Sequence, residues 1–423
     1  MALEPVRLII VSRQRDIKPV AGPRPGRFRW LAGVNRLGAR LAARVDRQIG
    51  GVQVHCDHVR EVFEQAGHEV IVVTPFDAPW LLPVLGAGTT RLLRPLGPGV
   101  YERWRRIWHA WLIGLELRRQ SSRFLAPGPP VVFYAQCALT ADAALRWRRP
   151  GTRVALGMHS AVNEADELWE RGLCEPGSFL YSSLVDFDQE IIPRVDGIVL
   201  VSRWRQVELY RTLPMTRRMP CAVYPNFLPD DWSSDPADRP PPTRDLVSVG
   251  RLVVEKNHRF VLDVLAAAAE LGYRYTLTVV GDGPERTALE AHARELGMER
   301  QVVFAGERRD VGALLEAHRV YVHASVIEAF GIVLIEAMAK GLPVVAAPVG
   351  GIPEVFDDGV EGRYVSLDSA GDAAKVLVDL MGDEDALERA SRAAYERFRA
   401  QFGASVVGPQ IEAFLTSLVA GHA

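Results

Sequence analysis

The sequence repeats one short pattern: a run of apolar, often β-branched residues, then a loop, then an amphipathic helical stretch. Apolar strands that alternate with helices are typical of parallel sheets covered on both faces. The strands predicted before the middle of the chain are 6–11, 69–73, 131–134, 153–156 and 197–201. Those predicted after it are 245–249, 274–280, 301–304, 320–323, 342–346 and 362–365. The pattern therefore predicts an α/β chain with two Rossmann-like parallel-sheet domains.

A stretch rich in proline, aspartate and serine separates the two series of strands. This composition favours a linker. The net charge of −2 is the sum of two halves of opposite charge. Residues 1–240 carry 32 basic and 25 acidic residues, whereas residues 241–423 carry 18 basic and 27 acidic residues. The predicted organisation is an N-terminal domain 1–230 with an insertion at 12–48, a linker 231–244, a C-terminal domain 245–395, and C-terminal helices 396–423 that pack back on the N-terminal domain.

Composition excludes several classes of protein. The near-neutral total charge argues against a nucleic-acid binder, and the sequence contains no apolar run long enough to span a membrane. The first apolar run is too short and too early for a signal peptide. The four cysteines lie 37 or more residues apart without a C-x-x-C pair. We therefore expect reduced thiols and a cytoplasmic protein, without a zinc cluster or a disulfide framework.

Polar residues follow three predicted strands of the second half. Arg251 and Lys256 come between strand 245–249 and a helix, where two cations and a helix N-terminus suit a diphosphate. An ordinary solvated pair is the alternative. The segment V-G-D-G-P at 280–284 reads as a tight strand-to-helix turn and is weak evidence alone.

The third loop carries the strongest signal. Glu328 follows strand 320–323, and Glu336 interrupts an apolar helix eight residues later. A carboxylate in such a helix is costly unless it accepts hydrogen bonds, for example from a sugar diol. The start of that helix offers backbone N–H groups to an anion. These amides belong to Phe330, Gly331, Ile332 and Val333.

Four motifs occur in order over residues 245–365: G-R-L-x-x-E-K, V-G-D-G-P, E-A-F-G-x-x-x-x-E-A-M-A-x-G-x-P-V-V-A and G-G-I-P-E-V. Together they resemble glycosyltransferase family four, whose members have the GT-B fold and include sucrose-phosphate synthase and bacterial mannosyl- and N-acetylglucosaminyltransferases. The resemblance implies two domains facing across a deep cleft. It also implies a retaining enzyme with a nucleotide-sugar donor and no metal at the phosphate site.

The resemblance assigns roles by position. Arg251 and Lys256 match the pair that holds the donor diphosphate, and Glu336 matches the carboxylate that binds the ribose hydroxyls. Glu328 matches the carboxylate that faces the donor sugar. The amides of residues 330–333 match the sugar and phosphate contacts. Asn257 stands where the family often has glycine.

The first half supports this interpretation more loosely. Gly50 and Gly51 open a predicted helix and let backbone amides approach a ligand, although a plain helix start is the alternative. They resemble the family's glycine loop near the donor phosphate and the acceptor. His159 follows strand 153–156 and resembles the family's cleft histidine, which contacts the donor sugar. A structural histidine is its alternative.

Two segments fit the family poorly. Residues 12–48 carry ten basic and two acidic residues, and we expect them to recognise or gate the acceptor. Trp104, Trp108, Trp111 and Leu115 are spaced as on a helix, with arginines around them. We interpret this stripe as the core side of a domain helix. An acceptor lid or a face that contacts the membrane surface is the alternative.

The resemblance, together with these residues, implies a retaining glycosyltransferase with His159 and Glu328 as catalytic residues. The donor is UDP-linked as first choice and GDP-linked as second, and the acceptor is a small molecule, sugar or lipid. We expect no cofactor, no essential metal and no nucleic acid. The alternative to a freely cytoplasmic protein is one with peripheral contact with the inner face of the membrane. A nucleotide-sugar 2-epimerase and a non-catalytic binding subunit remain alternatives, and the oligomeric state and acceptor stay open.

Overall fold

The computed structural model describes residues 4–13, 51–77, 97–160, 163–170 and 173–420, together with Leu93 and Pro95. The chain divides into two compact units. The first comprises residues 1–200, 208–224 and 409–423, and the second comprises residues 201–207 and 225–408. Gly50 and nearly all of the predicted insertion lie outside the described residues.

The first unit contains a six-stranded parallel sheet with strand order β2-β1-β3-β4-β5-β6. Its strands are β1 (Arg7–Val11), β2 (Glu69–Val73), β3 (Val131–Ala135), β4 (Thr152–Met158), β5 (Gly197–Leu200) and β6 (Cys221–Val223). Its helices are α1 (Gly51–Gln65), α2 (Pro98–Phe124), α3 (Ala138–Leu145), α4 (Glu164–Glu170), α5 (Phe179–Ile191) and α6 (Arg203–Thr212), which runs into this unit from the second. The five strands predicted for this half are present, whereas the short, half-buried β6 was missed.

The second unit repeats the architecture with strand order β12-β11-β10-β7-β8-β9, again all parallel. Its strands are β7 (Arg244–Val249), β8 (Leu277–Val280), β9 (Val302–Gly306), β10 (His318–His323), β11 (Val344–Ala346) and β12 (Gly362–Tyr364). Its helices are α7 (His258–Glu270), α8 (Arg286–Glu295), α9 (Val311–Glu316), α10 (Ile332–Ala339), α11 (Ala370–Gly382) and α12 (Glu384–Gln401). Apolar strand and helix faces form its core. The predicted pair of Rossmann-like sheets is therefore confirmed.

Residues 231–244 are ordered by local and long-range contacts. Two short 3-10 turns, Asp230–Trp232 and Pro236–Asp238, lie at this point, and Asp235 caps the second by accepting from the Ala237 amide. The Lys340 ammonium donates to the Ser234 hydroxyl and pairs with Glu316, both at 2.9 Å. Residues 231–244, which the composition predicts as a linker, thus make specific contacts with the second unit.

The last helix, α13 (Ala404–Ala420), ends in the first unit. There its Glu412 pairs with His68 at 3.0 Å, and its Phe414 ring packs edge-on against Tyr224. No helix within the described ranges is long and apolar enough to cross a membrane.

The tryptophan stripe of α2 lies beside the core and not in it. The buried face of this helix is formed by other residues, among them Ile113 and Leu117. Trp104, Trp108 and Trp111 cover one another, with ring centroids 5.8 and 5.2 Å apart, and 49% of Trp111 is exposed. The interpretation of the stripe as the core side of a helix is therefore wrong, because the aliphatic residues occupy that side. Contact with a membrane surface stays a prediction.

Candidate functional site

The strand order of the second unit gathers the three predicted motifs. Strand β7 lies between β10 and β8, and the chain leaves β7 towards β8 on one side and returns at β10 on the other. Such a switch point leaves a crevice at the carboxyl ends of the strands, where ligands of open α/β sheets bind. The loops that follow β7, β8 and β10 carry Lys256, Gly281 and Glu328, respectively.

Glu328 is the centre of a compact polar cluster. Its Oε2 atom accepts a hydrogen bond from the Lys256 ammonium at 2.5 Å and lies 3.4 Å from both the Ser325 hydroxyl and His323 Nε2. Only 15% of the Glu328 side chain and 23% of the Lys256 side chain are exposed. We call Lys256, His323, Ser325 and Glu328 the Glu328 cluster. The sequence predicted the lysine and the glutamate but neither their ion pair nor the other two members.

The charge state of Glu328 follows from its neighbours. Burial alone would raise the pKa of this carboxyl, but the Lys256 ammonium and His323 outweigh it and hold the pKa at about 2. Burial, aided by the Lys256 charge, lowers the pKa of His323. The cluster therefore holds an ionised carboxylate against an ammonium at neutral pH.

The backbone at Glu328 is held on two sides. The Glu328 carbonyl accepts from the Gly351 amide at 2.9 Å, and the next carbonyl, of Ala329, accepts from the buried Ser202 hydroxyl at 2.7 Å. Gly350 has φ +58°, and a Cβ there would lie 2.0 Å from the Glu328 carbonyl oxygen. The first two glycines of the G-G-I-P-E-V motif thus hold the backbone at Glu328 in place.

The V-G-D-G-P turn packs directly under the loop that carries Lys256. A Cβ on Gly281 would lie 1.9 Å from the Gly250 carbonyl oxygen, and one on Gly283 would lie 2.3 Å from that of Leu252. Asn257 takes the left-handed conformation with φ +49°, which asparagine tolerates better than most residues. The departure from the family's glycine therefore preserves the backbone.

Helix α10 begins beside Glu328. Gly331 precedes it with φ +91°, Phe330 is buried against Phe402, and the amides of residues 330–333 stand at the helix start, as predicted. Arg251 is more open than Lys256, since 41% of its side chain is exposed, and it reaches Glu255 at 3.3 Å.

Glu336 lies in the second turn of α10, where burial raises the pKa of its carboxyl to about 7. A carboxyl that is this hard to ionise gains from any ligand that donates hydrogen bonds to it. This matches the cost that the sequence predicted for an acidic residue within an apolar helix.

We expect Glu336 to make stability depend on pH. The folded protein keeps the Glu336 proton up to about pH 7, whereas an ordinary glutamate, as in the unfolded chain, loses it near 4.5. The free energy of unfolding therefore falls as pH rises between these values and levels off above them. Urea unfolding at several pH values should show that Glu336→Gln removes this fall, while Glu388→Gln, an exposed control on α12, keeps it. An equal fall in Glu336→Gln would contradict the assignment.

A second cluster lies at the carboxyl ends of β3 and β4 in the first unit. His159 Nε2 lies 2.8 Å from Gln136 Oε1, and its ring packs against His55 with centroids 4.4 Å apart. His55 Nε2 lies 3.0 Å from the Tyr134 hydroxyl. Burial lowers the pKa of His159 to about 4, so the ring is neutral at pH 7. We call these four residues the His159 cluster.

The sequence identified one member of the His159 cluster and missed three. Gln136 directly follows strand β3, as His159 follows β4, and this shared position at neighbouring strand ends was the available signal. Gly51 begins α1, the helix that carries His55, while Gly50 lies outside the described residues.

The part of the chain that the structure describes contains no group of three or more His, Cys, Asp or Glu residues arranged to hold a metal ion. Metal independence of the reaction stays a prediction.

The sequence matches the models of two known protein families. The family described as Glycosyltransferase Family 4 matches residues 49–231, and Glycosyl transferases group 1 matches residues 233–397. The chain belongs to glycosyltransferase family four and has its GT-B fold of two Rossmann-like domains.

Individual proteins agree with this assignment. N-acetyl-alpha-D-glucosaminyl L-malate synthase of Bacillus anthracis is 35% identical over 147 residues, which are 33% of this chain and 39% of that protein. Sucrose-phosphate synthase of Thermosynechococcus elongatus superposes with a TM-score of 0.72 at 17% identity, covering 98% of this chain and 100% of that one. HepE of Anabaena in complex with UDP-glucose gives a TM-score of 0.59 at 18% identity, covering 97% and 99%. The chain spans less than two thirds of the length of the curated relatives it matches.

Proposed function

We propose that this protein is a retaining glycosyltransferase that uses a nucleoside diphosphate sugar, UDP-linked as first choice and GDP-linked as second. The acceptor is a small molecule, a sugar or a lipid. One observation carries the proposal: the Lys256–Glu328 ion pair lies at the switch point of the second sheet, beside the start of α10. The solved complex of HepE with UDP-glucose supports a UDP-linked donor.

The second unit offers complementary groups to each part of such a donor. Lys256, Arg251 and the amides at the start of α10 suit the diphosphate, since cations and helix N-termini stabilise phosphate charge. Glu336 suits the ribose hydroxyls, because hydrogen bonds from a diol would stabilise its ionised form. Glu328 suits a hydroxyl of the transferred sugar.

The proposed reaction needs charge stabilisation more than a strong base. The bond between the anomeric carbon and the diphosphate oxygen breaks, and the acceptor oxygen bonds to that carbon on the same face. The acceptor proton passes to an oxygen of the leaving diphosphate, whose negative charge Arg251 and Lys256 stabilise. Glu328 and His159 orient the sugar.

Thermal unfolding with added nucleotides tests the donor assignment. At about 100 times its Kd a ligand stabilises the folded state by about 2.7 kcal/mol. We expect UDP to raise Tm, uridine to leave it unchanged, and GDP and ADP to have smaller effects. Arg251→Met should weaken the response to UDP, whereas Arg300→Met, an exposed arginine before β9, should not. If none of the nucleotides shifts Tm, the donor assignment is wrong.

Product analysis separates the proposal from its alternatives. NMR of the product formed from UDP-glucose and a panel of acceptors should show the donor's α configuration retained. Epimerised donor in the absence of any acceptor would identify a 2-epimerase instead. Nucleotide binding without turnover across the panel would favour a non-catalytic binding subunit.

A further inference from the structure

The orientation of the Gln136 side chain is determined by a backbone carbonyl. Its Nε2 atom donates to the Tyr134 carbonyl oxygen at 3.2 Å, and its Oε1 atom faces His159 Nε2 at 2.8 Å. A carbonyl oxygen can only accept a hydrogen bond. If the Gln136 amide were rotated by half a turn, its oxygen would face the Tyr134 carbonyl oxygen, and neither atom could donate. The amide nitrogen therefore points to Tyr134, and the amide oxygen points to His159.

This orientation determines which nitrogen of His159 carries the proton. Gln136 Oε1 accepts only, so His159 Nε2 must donate to it. Burial keeps the ring neutral near pH 7, and a neutral imidazole has a single N–H. His159 Nδ1 is thus a bare acceptor, and among the described residues this buried atom has no hydrogen-bond partner.

The neighbours of the pair leave little freedom to change this arrangement. A Cβ on Gly157 would lie 2.9 Å from His159 Nε2 and 2.8 Å from the Tyr134 hydroxyl, so a larger residue there would displace the cluster. The ring of His55 covers His159 on another side. An acceptor atom that is buried, fixed and without a partner among the described residues suits a ligand that donates a hydrogen bond.

We propose that Gln136 is a positioning residue that holds His159 in its Nε2–H tautomer, so that Nδ1 accepts a hydrogen bond from a hydroxyl of the donor sugar. The inference rests on the proposed function, because it takes the ligand at His159 to be the sugar of a nucleotide sugar. The interaction selects for a neutral hydroxyl at that position and against an anionic group.

Two substitutions and one control test the role of Gln136. Gln136→Glu keeps an acceptor but adds a charge that favours the imidazolium, which has no free acceptor. Gln136→Met removes the acceptor for Nε2–H. Gln301→Met is the matched control, since the Gln301 amide also donates to a backbone carbonyl, that of Tyr275 at 2.9 Å, and has no hydrogen bond to a histidine among the described residues.

The first measurement is the ¹⁵N spectrum of histidine-labelled protein, with the His159 signals assigned by His159→Ala. We expect wild type and Gln301→Met to show N–H at Nε2 and a bare Nδ1, and Gln136→Met to show mixed tautomers. A proton on Nδ1 in the wild type would overturn the inference, and this spectrum decides it even if no sugar is transferred.

The second measurement is kcat/KM for sugar transfer as a function of pH, divided by the wild-type value at each pH. For Gln136→Glu this ratio should fall about ten-fold from pH 9 to pH 6 as the ring gains a proton. Gln136→Met should lose about ten-fold at every pH, and Gln301→Met should match the wild type. A flat ratio for Gln136→Glu, with transfer and the UDP-induced rise in Tm intact, would reject the inference and leave the proposed function standing.

Discussion

Replacement of Lys256 by methionine is expected to lower kcat for sugar transfer by about a hundred-fold or more, the usual effect of removing one group that stabilises transition-state charge. Lys256 is both the ammonium nearest Glu328 and a proposed ligand of the leaving diphosphate. Its loss also removes the charge that holds the pKa of Glu328 low, so that carboxyl becomes harder to ionise. Steady-state kinetics measures the loss of sugar transfer, and the Tm response to UDP measures the loss of diphosphate binding.

Two further variants distinguish catalysis from folding. Lys375→Met is the matched control, because Lys375 pairs with Asp372 on the exposed surface of α11 and contacts none of the site. The double variant Lys256→Met/Glu328→Gln removes both charges, which should recover the stability lost with Lys256 alone but none of the activity. More than about a third of wild-type kcat in Lys256→Met would exclude the lysine from the reaction.

Replacement of Gly350 by alanine should destabilise the fold and disturb the position of Glu328 at the same time. The left-handed backbone costs a side chain about 1–2 kcal/mol. In addition, the new Cβ would meet the Glu328 carbonyl oxygen at 2.0 Å, which forces the backbone apart at overpacking costs of about 1–3 kcal/mol. Because Glu328 moves with this backbone, kcat should fall together with the free energy of unfolding, as measured by urea denaturation.

Gly359 supplies the comparison for this experiment. It also has a positive φ, +77°, but no atom lies within 4 Å of the position of a Cβ. Gly359→Ala should therefore lose about 1–2 kcal/mol of stability from the backbone alone and keep full activity. Equal losses in the two variants would show that contact with Glu328 contributes nothing.

The sequence was most informative about local structure. Runs of β-branched residues predicted eleven strands that the structure contains, and the residue types around Lys256 and Glu328 pointed to one site. The Lys256–Glu328 ion pair was not predictable, because it depends on β7 and β10 being neighbours. Periodicity indicates that strands exist but does not give their order.

The features that the sequence did not predict also have physical causes. The tryptophans of α2 are apolar and helically spaced, but periodicity cannot tell which of two apolar faces of a helix packs on the sheet. In this helix the face with Ile113 and Leu117 is the one buried in the core. Residues 231–244 have the composition of a linker, yet contacts with distant residues such as Lys340 and Glu316 hold them. Gln136 has no sequence signature, since its role depends on the Tyr134 carbonyl.

Ser202 shows how the second unit depends on a piece of chain outside its main stretch. Residues 201–207 belong to that unit although their neighbours on both sides belong to the first. Ser202 holds the Ala329 carbonyl, and the Arg203 and Trp204 amides both donate to Glu354 at 2.8 Å. We therefore expect expression of residues 225–408 alone to leave the Glu328 loop without these supporting contacts. We expect a stable isolated second unit to need residues 201–207 as well, either as a separate peptide or through a permuted chain.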